Sequence, residues 1–130
     1  KRIRLRLEGD GDVEGDRLMF RRALSNLLSN ALRHTPEAGT ITVHIAGTAQ
    51  STMVSVENTG SDIDPKMLLR LFDRFYRADP ARAHPDAEGS GLGLAITRAI
   101  AEAHGGRVTV TSSNGRTCFA LVFPHRAAQA

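Results

Sequence analysis

Apolar residues along this chain follow two rhythms that alternate in blocks. Ile3, Leu5 and Leu7 alternate with basic residues, which predicts a strand with one apolar face and one solvated basic face. Leu24, Leu27, Leu28 and Ala31 then recur at helical spacing; Asp16 is placed to cap that helix and Pro36 to stop it. Alternation returns with Ile41, Val43 and Ile45 in 40–46 and with Val54 and Val56 in 52–57, predicting two strands connected through 46–51. After Asp64-Pro65, a helix start, Met67, Leu68, Leu71, Phe72 and Phe75 repeat at helical spacing, and Leu68, Leu71 and Phe72 read as core. Another amphipathic helix opens at the end of a glycine stretch, 88–96, and runs to Ala103. Val108 and Val110, the turn pair Asn114-Gly115, and Phe119, Leu121 and Phe123 predict a closing hairpin.

Strand, helix, two strands, helix, loop, helix, two strands is the order of an α+β fold. It predicts a two-layer α/β sandwich in which three helices cover one face of a mixed sheet. With 130 residues, 41% apolar and 24% charged, the chain suits a single domain over 1–130 with one core. No apolar run is long enough to span a bilayer and nothing at the start reads as a signal peptide, so a soluble, unprocessed chain is expected. The net charge of +3 invites nucleic acid as a partner, but the basic residues are scattered and there is one tyrosine and no tryptophan, which argues against DNA or RNA binding. One cysteine, Cys118, excludes an internal disulfide, fits a reducing compartment and reads as a strand residue.

Candidate chemistry gathers at four places. Glycines 89, 91 and 93 let backbone N–H groups approach an anion, and the helix start adds partial positive charge, so the stretch is a candidate phosphate cradle. Asn26 and Asn30 lie one turn apart beside the apolar stripe of the first long helix, with Arg33 and His34 a further turn on. An amide oxygen is a neutral hard ligand suited to Mg²⁺, although a lone asparagine more often belongs to a solvated face. Asn58 shares the parity of Val54 and Val56 and projects from a strand end toward the helices. The stretch 76–88 carries two prolines and no apolar periodicity, and it reads as an exposed lid holding Arg77 and Arg82 within reach of phosphates. His84 has no evident partner, His104 suits a helix dipole as a cation, and the tail from His125 to Ala130 is expected to fray.

Taken together, Asn26-Leu27-Leu28-Ser29-Asn30-Ala31, Val56-Glu57-Asn58-Thr59-Gly60, Leu71-Phe72-Asp73-Arg74-Phe75-Tyr76-Arg77 and Gly89-Ser90-Gly91-Leu92-Gly93-Leu94-Ala95-Ile96 form an ordered set. In order and spacing they resemble the N, G1, F and G2 boxes of the sensor histidine kinase catalytic domain, over roughly residues 3–124, and are most similar to the heavy-metal-responsive subgroup. The resemblance implies the Bergerat ATP-binding fold, with Mg-ATP held between the helical layer and the lid. It implies transfer of the γ-phosphoryl group to a histidine on a separate dimerisation domain, a response regulator as later partner, and a cytoplasmic domain of an inner-membrane sensor.

The residues it assigns to ATP and phosphate are Asn26, Asn30, Arg33, His34, Asn58, Gly60, Ile63, Phe75, Arg77, Arg82, Gly89, Ser90, Gly91, Leu92, Gly93, Leu94 and Thr117, with Asn30 as the Mg²⁺ ligand and no certain catalytic residue. Two positions depart from the family pattern. Asn58 stands where an aspartate is usual, and its NH₂ donor leaves base choice open; Asp62 replaces the second glycine of the G1 box. None of the five histidines sits in a His-Glu-Leu-Arg-Thr-Pro context, so the chain is expected to bind ATP without phosphorylating itself. A nucleotide-binding module without catalysis and an anti-sigma-type serine kinase of the same fold are the alternatives. Steady ATP hydrolysis of the gyrase kind is disfavoured, because Ser29 and Asn26 stand where a glutamate base would be needed.

Overall fold

The structure, a computed structural model, describes residues 3–10, 15–68, 70–73 and 93–125. Strands β1 (Arg4–Asp10), β2 (Thr40–Gly47), β3 (Ser51–Thr59), β4 (Arg107–Ser113) and β5 (Arg116–Pro124) form one sheet in the order β1-β2-β3-β5-β4. β1 runs parallel to β2 and the other pairs are antiparallel. Helices α1 (Arg17–His34), α2 (Pro65–Leu68) and α3 (Gly93–Ala103) complete the described fold, and α1 makes the crossover that a parallel pair requires. The expected mixed sheet and α+β class are therefore present.

Local chemistry accounts for the element ends. One carboxylate oxygen of Asp16 accepts from the N–H groups of Leu18 and Met19 at 2.9 and 3.2 Å, capping α1. At the other end the Thr35 hydroxyl donates to the Ala31 carbonyl at 2.6 Å, before Pro36 ends the helix. Asn114 and Gly115 both adopt left-handed backbone, with φ of 55° and 76°, which matches the twist of a two-residue hairpin turn. The core lies between α1, α3 and the sheet, where Leu27, Ile41, Val56 and Phe119 are fully buried.

Four expectations are corrected. The predicted apolar face of the first strand is not covered: Leu5 and Leu7 are 57% and 75% exposed, because α1 packs on α3 and β3 and leaves the edge strand open. The helix at Pro65 ends at Leu68, and the chain continues in tighter turns closed by Arg70 N–H to Met67 O and Asp73 N–H to Arg70 O. Leu71 is nevertheless buried, and Phe72 meets Phe119 edge-on at 5.9 Å. Of the tail expected to fray, His125 is tied down, its N–H donating to Gln50 O and its Nε2 lying 2.7 Å from the Thr52 hydroxyl, while 126–130 lie outside the described residues.

His104 is the fourth correction. Its Nδ1–H donates to Ile100 O at 2.8 Å and its Nε2 accepts from the Asp16 N–H at 3.2 Å, so the ring acts as a neutral bridge between the end of α3 and the start of α1 rather than as a dipole cation. The ring also packs 4.5 Å from Phe20. His104→Ala is expected to lower unfolding free energy by about 2–3 kcal/mol, from two hydrogen bonds and lost ring packing. Chemical denaturation measures this, and a loss below about 0.5 kcal/mol would contradict the bridging role.

Cys118 lies on β5 between Thr117 and Phe119, hence on the sheet face opposite theirs, as the strand reading requires. Burial pushes its thiol up, the Glu57 carboxylate pushes the same way, and a hydrogen bond with Ser55 opposes them. A raised pKa means less thiolate at neutral pH. Alkylation by iodoacetamide at pH 7.5 is therefore expected to be several-fold slower in the folded chain than after denaturation. Equal rates would exclude this effect of the fold.

Candidate functional site

At the end of the sheet where α1 stops, Asn30, Arg33, His34, Asn58, Ser61, Ile63 and Thr117 line a cavity of about 210 Å³. Asn30, Asn58 and Thr117 are only 6%, 4% and 5% exposed, so polar groups have been built into the wall where apolar ones would pack more easily. Asn30 comes from the inner edge of α1, and Arg33 and His34 from its last turn, which gives the rim a basic side. The Asn30 side chain makes no hydrogen bond to another described residue, which leaves its amide for whatever fills the cavity.

The opposite wall is a short loop after β3 tied to the β4–β5 hairpin. Gly60 N–H donates to Gly115 O at 3.0 Å, and the Asp62 carboxylate accepts from Gly115 N–H at 2.8 Å. Ile63 N–H donates to the Ser112 hydroxyl at 2.7 Å, and that hydroxyl shares a hydrogen with Thr117 across 2.8 Å. Asp62, the departure from the double-glycine pattern, thus clamps the loop onto the turn. Gly60 has φ of 151°, and a Cβ there would come within 3.0 Å of His34 O, so a side chain would press this loop away from α1.

Asn58 and Thr117 are direct cross-strand partners on β3 and β5, and Thr117 pairs in turn with Ser112 on β4. The Asn58 Nδ2 donates to Thr59 O at 3.0 Å, which orients its amide. Asn26, predicted beside Asn30, does not line the cavity; its Nδ2 donates to Gly93 O at 3.2 Å, and the Thr97 hydroxyl donates to the same oxygen at 2.9 Å. Asn26 thereby ties α1 to the first residue of α3, and Gly93 and Leu94 sit at that junction, away from the cavity wall.

Of the predicted site residues, the cavity brings together Asn30, Arg33, His34, Asn58, Ile63 and Thr117, with Gly60 on the adjoining loop. Phe75, Arg77, Arg82, Gly89, Ser90, Gly91 and Leu92, together with the lid and the cradle they were read from, lie outside the described residues. Ser61 and Ser112 were missed. A serine in a short loop carries no periodic signal, and Ser112 matters only through strand pairing that its sequence neighbours do not reveal.

The model of the histidine kinase-, DNA gyrase B- and HSP90-like ATPases matches residues 15–127. The chain belongs to that family. Among the members of this ATPase family, the chain is 53% identical over 123 residues to the sensor histidine kinase CusS of Escherichia coli O6:H1, covering 94% of this chain and 25% of CusS. It therefore spans about a quarter of the length of the curated relatives it matches. Among solved structures, the mycobacterial sensor histidine kinase MprB superposes with a TM-score of 0.81 at 29% identity, covering 94% of this chain and 83% of that one. Full-length ShkA in complex with AMPPNP superposes with a TM-score of 0.78 at 28% identity, covering 94% of this chain and 25% of that one.

Proposed function

We propose that this chain is the ATP-binding catalytic domain of a two-component sensor histidine kinase of the heavy-metal-responsive subgroup. In this reading the cavity receives the base end of ATP and α1 faces the phosphates. The observation that carries it is the convergence of Asn30, Asn58 and Thr117, from three distant segments, as nearly buried polar groups on one wall beside Arg33 and His34. An amide oxygen on a strand end suits an exocyclic amine, and a guanidinium at the rim suits a phosphate.

Mg²⁺ fits the donors present. Among the described residues no group of three or more His, Cys, Asp or Glu could hold a metal, so a cation here would rest on the Asn30 amide oxygen, phosphate oxygens and water, the usual manner of Mg²⁺ with nucleotides. When bound, it supplies charge neutralisation at the phosphates. The protein's own share is positioning: Asn58 and Thr117 orient the base, Asn30 fixes the phosphate end, and Arg33 screens negative charge.

The acceptor in this reading is a histidine on a separate dimerisation domain, with a response regulator downstream. No described helix is long and apolar enough to cross a membrane, and we place the domain on the cytoplasmic side of a membrane-anchored sensor. The test is calorimetric titration with Mg-ATP, followed by incubation with a supplied phosphoacceptor domain and γ-labelled ATP. Saturable binding and an acid-labile phosphoprotein are expected, as a phosphorylated imidazole demands. An acid-stable phosphoserine would instead identify a serine kinase, and binding without transfer would identify a nucleotide-binding module.

A further inference from the structure

A two-residue hairpin turn closes through the residues that flank it and leaves the backbone groups of its second central residue unused. Here Ser113 and Arg116 are the flanking pair, and Gly115 is that central residue, held in left-handed backbone at φ of 76°. Both of its backbone groups are nevertheless engaged, and by one neighbouring loop. Gly115 O accepts from Gly60 N–H at 3.0 Å, and Gly115 N–H donates to the Asp62 carboxylate at 2.8 Å. The loop after β3 therefore meets the turn as an antiparallel strand meets an edge, with one of the two exchanged bonds supplied by a side chain.

Both partners of this contact carry cavity wall. Ser61 and Ile63 flank Asp62 and line the cavity, and Thr117, two residues beyond Gly115 on β5, lines it too. Asp62 itself is exposed and does not line it. The loop also runs close to the end of α1, where a Cβ on Gly60 would come within 3.0 Å of His34 O. Gly60 and Ile63 are tied to the hairpin by their backbone N–H groups, through Gly115 O and the Ser112 hydroxyl, and no substitution at 62 removes those bonds. The Asp62 carboxylate holds the residue between them, and so fixes the segment of Ser61 and Ile63 against the segment of Thr117.

We propose that Asp62 is a positioning residue for nucleotide binding. Its carboxylate faces the turn rather than the cavity; acting through Gly115, it sets the separation between Ile63 and Thr117 before the nucleotide arrives, so that binding does not have to order the loop. This rests on the nucleotide reading given above. It also gives a physical role to the residue that replaces the second glycine of the box. Glycine at 62 would offer the Gly115 N–H no side-chain acceptor and would add backbone freedom to the loop.

The contact and its effect are measured separately, in the wild-type chain and in Asp62→Asn, Asp62→Ala and Asp62→Gly. Amide hydrogen exchange at Gly115, followed by NMR without nucleotide, reports the contact. Wild type and Asp62→Asn, whose amide oxygen accepts the same hydrogen, should protect this N–H at least about tenfold better than Asp62→Ala and Asp62→Gly. Titration with Mg-ATP reports the effect: the dissociation constant should rise about fivefold in Asp62→Ala, at least as much in Asp62→Gly, and stay within about twofold in Asp62→Asn. Transfer to a supplied phosphoacceptor domain at saturating Mg-ATP should stay within about twofold of wild type in all three, since a loop already ordered by bound nucleotide no longer needs the contact. Equal protection of Gly115 in wild type and Asp62→Ala, or equal affinity of the two for Mg-ATP, overturns the proposal. So does a fall in transfer at saturation as large as the fall in affinity, which marks general damage to the site. Wild type that binds no nucleotide while Gly115 exchanges as expected overturns the nucleotide reading itself, and the positioning role with it.

Discussion

Asn30→Ala is expected to weaken Mg-ATP binding at least tenfold and to lower phosphoryl transfer to a supplied histidine domain at least about a hundredfold, a loss of the size seen when one transition-state ligand is removed. Asn30 is nearly buried on the cavity wall, and its side chain makes no hydrogen bond to another described residue. Its side chain lines the cavity rather than tying one element of the fold to another, which is what a ligand-binding residue looks like. Alanine is also the better helix former, so the thermal midpoint should stay within a few degrees of wild type. The contribution of magnesium can be isolated by titrating ATP in EDTA. There the two proteins should converge, since the difference between them depends on the cation. An affinity unchanged by the substitution in the presence of magnesium would remove Asn30 from the site.

Phe119→Ala carries the largest expected effect on stability. Phe119 is fully buried at the centre of β5 and meets Phe72 edge-on at 5.9 Å. Truncating a buried phenylalanine costs about 3–5 kcal/mol, from lost transfer energy and the cavity left behind. Against a typical total of about 5–15 kcal/mol, the variant sits near the edge of folding at 37 °C. Urea denaturation should show a lower midpoint with a nearly unchanged slope. Phe119→Leu, which keeps most of the volume, should recover more than half of the loss. A destabilisation under about 1 kcal/mol would mean that the sheet repacks around the gap. Because Phe119 sits two residues beyond Thr117 on the same face of β5, residual folded protein should also bind nucleotide more weakly.

Much of this molecule is legible from one-dimensional pattern, because its elements obey local rules. The caps of α1, the left-handed turn at Asn114-Gly115 and the alternation of β3 and β5 depend on residues a few positions apart, and each appears where its spacing predicts. Asn30, Asn58 and Thr117 could be named as candidates because box order is a property of sequence. Their meeting on one wall is not such a property. It follows from the order β3-β5-β4, which sets Ser112, Thr117 and Asn58 in one row although they are far apart along the chain.

The same distinction explains the misreadings. Leu5 and Leu7 alternate like buried residues, yet burial depends on which strand a helix covers, and α1 lies over β3. His104 reads locally as a dipole cation; only packing across the fold puts its Nε2 opposite the Asp16 N–H and makes it an acceptor. For Asn26 the local pattern says nothing of its bond to Gly93, a contact that only the packing of α1 against α3 creates. The sequence by itself determined the elements, their order and the family. The tertiary structure decided which polar groups face the cavity, because hydrogen-bond partners are chosen by proximity in space, and proximity is set by strand order and helix placement.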